Sequence, residues 1–290
     1  MKELLISILV RNNEKYIPYM FKMFNNLEKN NSQKIKYLVY TNDNEDNTYN
    51  LLKEKKTCNM KIVEESLPDK IKKLSFLKRL YILRNKLLNL IKKEKFDYLL
   101  MLDSDIFINP KILEDSIREL DKKKFEAITL QTLGNLNFFY NTKFPFYFFY
   151  DTFAYVNSRG EKELENRSFK RYFFCIKNLF LDKTEEVKSS FAGFWLTKSD
   201  FLYRKNLEYI YNADNQECEH ITFNKNFKLG FITNINPLRL EPNVDENFYA
   251  KTYEIINLNK TDNRGNSKII IYLLIIIIAL FIYIFIKYLL

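Results

Sequence analysis

Two aspartates separated by one serine, Asp103-Ser104-Asp105, stand at the end of the apolar run Tyr98-Leu99-Leu100-Met101-Leu102. Carboxylates at i and i+2 around a small residue can coordinate one hard divalent cation, and such a cation can neutralise a diphosphate. The run before them is too short for a typical helix and reads as a strand covered on both faces. In an open α/β sheet, ligands bind beyond the carboxyl ends of the strands, which is where these acids fall. An Asx turn with an acidic cap on a helix opening at Pro110 accounts for the same residues without a ligand.

The elements that must position the acids alternate along the chain. Leu4 to Val10 reads as a strand, Tyr16 to Leu27 as an amphipathic helix, and Ile35 to Tyr40 as a second strand ending in Thr41-Asn42-Asp43-Asn44. Thr48 to Lys56 and the stretch Ile71 to Lys93 read as helical, leading into the Asp103 strand; Pro110 opens a helix over Lys111 to Lys123, and Ala127 to Leu130 is a short strand. Strand followed by helix, repeated, predicts a mostly parallel sheet with right-handed crossovers. Beyond Gln131 the chain turns aromatic and irregular, from Phe138 through Tyr150, a density more typical of core packing than of a stacking platform.

Composition narrows the chemistry. With one histidine, His220, a histidine-based metal cluster or a Ser-His-Asp triad is effectively excluded, and three scattered cysteines suggest neither a disulfide framework nor a zinc site. The 46 Lys and Arg against 36 Asp and Glu favour anionic partners, and no motif of a nucleic-acid binder accompanies them. Most of the chain, residues 1–258, is expected to form one main domain. A polar, basic linker follows over 259–268, and then an apolar anchor over 269–290. From Ile269 to Ile286 there is no charge, Gly or Pro, and as a helix these residues reach about 27 Å, enough for a bilayer core. Lys260, Arg264 and Lys268 precede the span and Lys287 follows it, so the positive-inside rule predicts a tail anchor with the large domain in the cytosol.

Several segments fall into order around the acids: Arg11 to Glu14 after the first strand, YTNDNEDNT after the second, RLYILRNKLL before FDYLLMLDSDIFINP, then FYDT at Phe149 to Thr152, SSFAGFWLTKSDF, and Glu217-Cys218-Glu219 followed by Leu229-Gly230 and Ile235-Asn236-Pro237. This order resembles the GT-A type glycosyltransferases. More narrowly it is similar to the fungal capsule-associated α-1,3-mannosyltransferase family, with a weaker likeness to the procollagen galactosyltransferases, over roughly Leu4 to Pro242. Two features depart from it. The strand tip carries the fuller Asp103-Ser104-Asp105 where the fungal family tends to have Asn-Asp, which favours metal dependence and weakens the case for a mannose donor. The apolar segment is C-terminal, whereas Golgi enzymes of this type are anchored at the N-terminus.

The resemblance implies a GT-A fold and a set of roles. Asp103 and Asp105 would hold Mn²⁺ or Mg²⁺ on the diphosphate of a nucleotide-sugar donor, with Ser104 between them. Arg84 would pair with phosphate, unless it is a solvated helix residue or an aspartate partner. Asn42 and Asp43 would meet the base or ribose, or only make a turn. Arg11, Asn12 and Glu14 open the loop where a nucleotide would pass, although Glu14 also suits a first-turn acid on a helix dipole. Glu217 and Glu219 would face the reacting sugar, or simply complement a helix start. Asp151 would hold sugar hydroxyls, Gly193 and Trp195 would form an acceptor wall, and His220 would be a third metal ligand or a structural histidine. The acceptor would be a glycan or glycoprotein hydroxyl. A non-catalytic, membrane-anchored binding protein that keeps the fold is the alternative from another class.

Overall fold

The computed structural model describes residues 1–135, 147–162, 164, 174, 177–178, 184–203, 206–211, 217–233 and 235–239, which belong to a compact unit, Met1–Pro242. The aromatic run Phe138 to Phe146, the basic linker and the apolar span Ile269 to Ile286 lie outside the described residues. Among those described, no helix is long and apolar enough to cross a membrane.

The chain opens with β1 (Glu3–Val10), α1 (Ile17–Asn30), β2 (Lys34–Asn42), α2 (Thr48–Glu54) and β3 (Met60–Glu65). Next come α3 (Asp69–Lys72), α4 (Phe76–Ile91), β4 (Tyr98–Leu102), β5 (Ile106–Phe107), α5 (Pro110–Asp121) and β6 (Ala127–Leu130). Then follow β7 (Leu133–Asn135), β8 (Tyr147–Phe149), β9 (Thr184–Val187), β10 (Phe194–Lys198), α6 (Ser199–Tyr203), α7 (Glu219–Asn224), β11 (Leu229–Ile232) and β12 (Leu238–Arg239). Eight strands form the central sheet in the order β3-β2-β1-β4-β10-β6-β11-β9. β3, β2, β1 and β4 run parallel, β10 is antiparallel to both β4 and β6, β11 is parallel to β6, and β9 is antiparallel to β11. The fold is thus mixed α/β around a large, mostly parallel sheet, consistent with the GT-A expectation.

Side-chain alternation assigns the faces. Leu38 and Tyr40 of β2 join the core under α4, whereas Tyr37 points the other way and stacks on Phe24 of α1 at 4.1 Å. All five residues of β4 are buried, as a strand flanked by β1 and β10 and covered on both faces must be. Since parallel strands deliver their carboxyl ends to one edge, the tips of β1, β2 and β4 emerge together. The smaller sheet, β5-β12-β7-β8, pairs Arg239 of β12 with Ile106, next to Asp105.

Two local readings are corrected. The single helix expected over Ile71 to Lys93 is split into α3 and α4 by an extended Ser75. The break lets Lys72 ion-pair with Asp43 at 2.9 Å while the Leu67 N–H donates to the same carboxylate, tertiary contacts that override helix propensity. The second correction is β3, a half-exposed edge strand whose burial pattern carries no clean alternation for a sequence reading to find.

Candidate active site

The tips of β1, β2 and β4 and the start of α7 open into one cleft of about 790 Å³. Arg11, Asn42, Asp43, Arg84, Asp103, Ser104, Asp105, Asp151 and Glu219 all line it, and His220 joins them. Residues more than 200 positions apart in the chain therefore converge on one space.

Arg84 is the hinge of the constellation. It lies on the buried face of α4, its Nη2 is 3.3 Å from Asp103 Oδ1, its Nε is 3.5 Å from Glu219 Oε1, and its guanidinium sits 4.9 Å above the Phe191 ring. Burial disfavours its charge, but Asp103 and Glu219 more than offset this and raise its pKa further. Of the alternatives open for Arg84, the structure places it as the partner of two carboxylates. At the other end of the strand tip, Arg239 Nε donates to Asp105 Oδ2 at 3.0 Å, and its guanidinium stacks 4.3 Å from the Tyr150 ring.

Burial pushes the Asp103 carboxyl up to about 7; Arg84 opposes this, and the neighbouring charges of Asp105 and Asp151 reinforce it. Burial likewise raises Asp151, against the pull of the backbone N–H groups it accepts. His220 is held well below its ordinary value by burial and by Arg84, so its ring is neutral. It stacks on Phe191 at 3.7 Å, with Nε2 3.4 Å from Glu219 Oε1, and neither ring nitrogen makes a hydrogen bond among the described residues.

The two strand-end loops beside the acids are laced together. Arg11 donates to the Asp43 carbonyl at 3.2 Å and pairs with Glu45 at 3.0 Å, and the Asn13 side chain is hydrogen-bonded to Ser104. Asp43 is kept below its ordinary value despite burial, because Lys72, Asn42 and the Leu67 N–H all donate to it. Asn42 is buried and its Oδ1 has no hydrogen-bond partner among the described residues.

Five of the expected residues, Asn12, Glu14, Gly193, Trp195 and Glu217, do not line the cleft. Asn12 and Glu14 are consumed in lacing the loops: Asn12 Oδ1 accepts from the Glu45 N–H at 2.8 Å, and Glu14 accepts from the Asn47 N–H at 2.8 Å. Glu217 turns into a separate groove of about 460 Å³, where Lys162 and Lys225 each lie 4.0 Å from it. The helix start accounts for this split, since Cys218 caps α7 with a non-helical backbone and sends its two neighbours in different directions. Trp195 is also no wall. It is fully buried, donates to Asn224 Oδ1 at 3.1 Å, and packs edge-on against Phe223 and Phe227. Arg239, Tyr150, Phe191 and Lys72 are the site residues that sequence reading missed, because neither spacing nor periodicity marks them.

The strand-tip carboxylates suit a divalent cation. One oxygen of each is held by an arginine, and the second, Asp103 Oδ2 and Asp105 Oδ1, makes no hydrogen bond among the described residues. Two hard oxygen donors match a small cation that completes its shell with water and phosphate oxygens, and such a cation offsets the burial of the Asp103 charge and the nearby charges of Asp105 and Asp151 that together raise Asp103. No cluster of three His, Cys, Asp or Glu side chains able to hold a metal exists among the described residues.

No protein-family model matches the chain, and no curated protein does. Solved structures to which it is similar include S. aureus TarS 1–349, at 15% identity and TM-score 0.47 over 89% of this chain and 65% of that one. The same fragment in complex with UDP-GlcNAc gives 15% identity and TM-score 0.48 over 86% and 61%, and the longer S. aureus TarS gives 15% and 0.46 over 89% and 39%. The chain thus spans less than two thirds of the length of each of these structures.

Proposed function

We propose that this protein is a metal-dependent glycosyltransferase that moves a sugar from a nucleoside-diphosphate donor, GDP-mannose-like or a UDP-sugar, to a glycan or protein hydroxyl. The observation that carries this reading is the convergence of Asp103, Asp105, Arg84 and Glu219 on one cleft beyond the carboxyl ends of parallel strands. Asp103 and Asp105 would hold Mn²⁺ or Mg²⁺, which supplies charge neutralisation for a departing diphosphate. Arg84 bridges Asp103 and Glu219 and fixes both in place. Asn42, buried at the second strand tip with an acceptor that has no partner among the described residues, suits an N–H of the base or a hydroxyl of the ribose. Glu219 sets a negative charge on the side of the cleft where oxocarbenium-like charge on the sugar would develop.

Incubating the full chain with Mn²⁺ and a panel of GDP- and UDP-sugars, with and without EDTA, tests the reading by donor hydrolysis or transfer. Metal-dependent turnover that Asp105→Ala abolishes is the expected result; no turnover and no metal-dependent nucleotide binding across the panel overturns it. We further propose that Ile269 to Ile286 anchors the chain in a bilayer with the catalytic domain cytosolic. Protease added to sealed microsomes should then digest that domain, and full protection without detergent would reverse the orientation.

A further inference from the structure

The Ala192–Gly193 turn is strained. Both residues have left-handed backbone, φ +50° at Ala192 and φ +73° at Gly193, and alanine pays a steric cost there that glycine avoids. Such strain persists only where the surroundings impose it, and two side chains do so. The Ala192 N–H donates to Asp151 Oδ2 at 3.0 Å, and the Ala192 carbonyl accepts from Thr132 Oγ1 at 2.5 Å. Meanwhile Asp151 Oδ1 accepts the Ala154 N–H at 3.2 Å, so each carboxylate oxygen accepts a backbone N–H. The far side of the turn is the seat of the strand tip: the Gly193 carbonyl accepts the Asp103 N–H at 2.9 Å, and a Cβ at Gly193 would lie 3.4 Å from Asp103 Oδ2.

We propose that Asp151 is a positioning residue that clamps the Ala192–Gly193 turn and through it aims Asp103, rather than a ligand of the sugar. This rests on the reading of Asp103 as a cation ligand. A carboxylate held by backbone donors on two segments is oriented by that backbone, and its removal frees a strained turn directly behind Asp103.

The test uses the full chain with Mn²⁺ affinity read by electron paramagnetic resonance, alongside kcat and KM for the donor that turns over. Asp151→Asn should weaken Mn²⁺ binding about 10- to 100-fold, as loss of a supporting hydrogen bond to a ligand does, without changing which sugar is preferred. Adding Ala192→Gly, which suits the left-handed backbone unaided, should return about two- to five-fold of that affinity. Thr132→Val, which frees the neighbouring peptide of the same turn at the Ala192 carbonyl, should weaken Mn²⁺ binding too and serves if Asp151→Asn does not fold. Unchanged Mn²⁺ affinity in Asp151→Asn with a raised donor KM would make Asp151 a sugar ligand and overturn the proposal. If the wild-type chain binds neither Mn²⁺ nor nucleotide, the functional reading fails and the clamp is decided by stability alone. Non-additive shifts in Tm for Asp151→Asn and Ala192→Gly then support it, and additive shifts overturn it.

Discussion

Gly193→Ala is the sharpest perturbation the geometry offers, because one added methyl group meets two separate obstacles. A Cβ built there would lie 2.3 Å from Ile106 Cγ1 and 2.9 Å from its Cδ1, with φ at +73°. The left-handed backbone costs an L-residue about 1–2 kcal/mol, and forcing a methyl into a filled site costs about 1–3 kcal/mol. Restricting the unfolded chain returns about 0.4–1 kcal/mol, leaving a net loss of about 1–5 kcal/mol, centred near about 3 kcal/mol. For a domain of this size that is a fall in Tm of about 5–15 °C. Ile106 is bonded to Asp105 and its N–H donates to the Asp103 carbonyl at 3.2 Å, so its displacement should also degrade the cation site. Gly160 supplies the internal control: its φ is +88° but a Cβ there meets nothing within 4 Å, so Gly160→Ala should cost about 1 kcal/mol or less. Thermal and urea unfolding of the purified full chain in non-ionic detergent would measure both. A Gly193→Ala protein that melts within about 2 °C of wild type, or that is no worse than Gly160→Ala, would refute the packing of the turn against β5.

Arg84→Met should destabilise the fold by about 3–5 kcal/mol by leaving Glu219 and Asp103 without their cation, and Glu219→Gln in the same chain should recover part of that, both read from urea midpoints. Because the folded Asp103 carboxyl titrates near 7, well above its unfolded value, protonated Asp103 favours the native state. The apo protein should be relatively more stable below about pH 4 on this account and lose that contribution as pH rises to 7. Mn²⁺ affinity should strengthen over the same window. Asp103→Asn should flatten both profiles in Tm-against-pH measurements with EDTA and with Mn²⁺, and an unaltered profile would count against a perturbed Asp103. Trp195→Ala should cost about 3–5 kcal/mol by emptying the core beneath Phe223 and Phe227; a variant that kept wild-type stability yet lost acceptor binding would instead return Trp195 to the cleft wall.

Local pattern alone determined three of the four strands in the first half of the sheet, β3 excepted. Leu4 to Val10, Ile35 to Tyr40 and Tyr98 to Leu102 are apolar runs of strand length between amphipathic helices, and such alternation admits few topologies. The Asp103-Ser104-Asp105 tip was legible because an acidic break in a buried strand has few reasons to exist. What lay beyond the sequence was anything set by contacts between distant segments. Nothing local marks β10 as antiparallel to β4, yet that pairing puts the Gly193 carbonyl on the Asp103 N–H and sends Trp195 into the core. Spacing of i and i+2 treats Glu217 and Glu219 alike, but the backbone at Cys218 and the buried guanidinium of Arg84 keep only Glu219 in the cleft. Asn12 and Glu14 belong to a polar loop by type and became loop fasteners only because two parallel strands end side by side. Residue type restricts what a side chain can do; which of those things it does depends on the partner that the tertiary structure brings within a few ångströms.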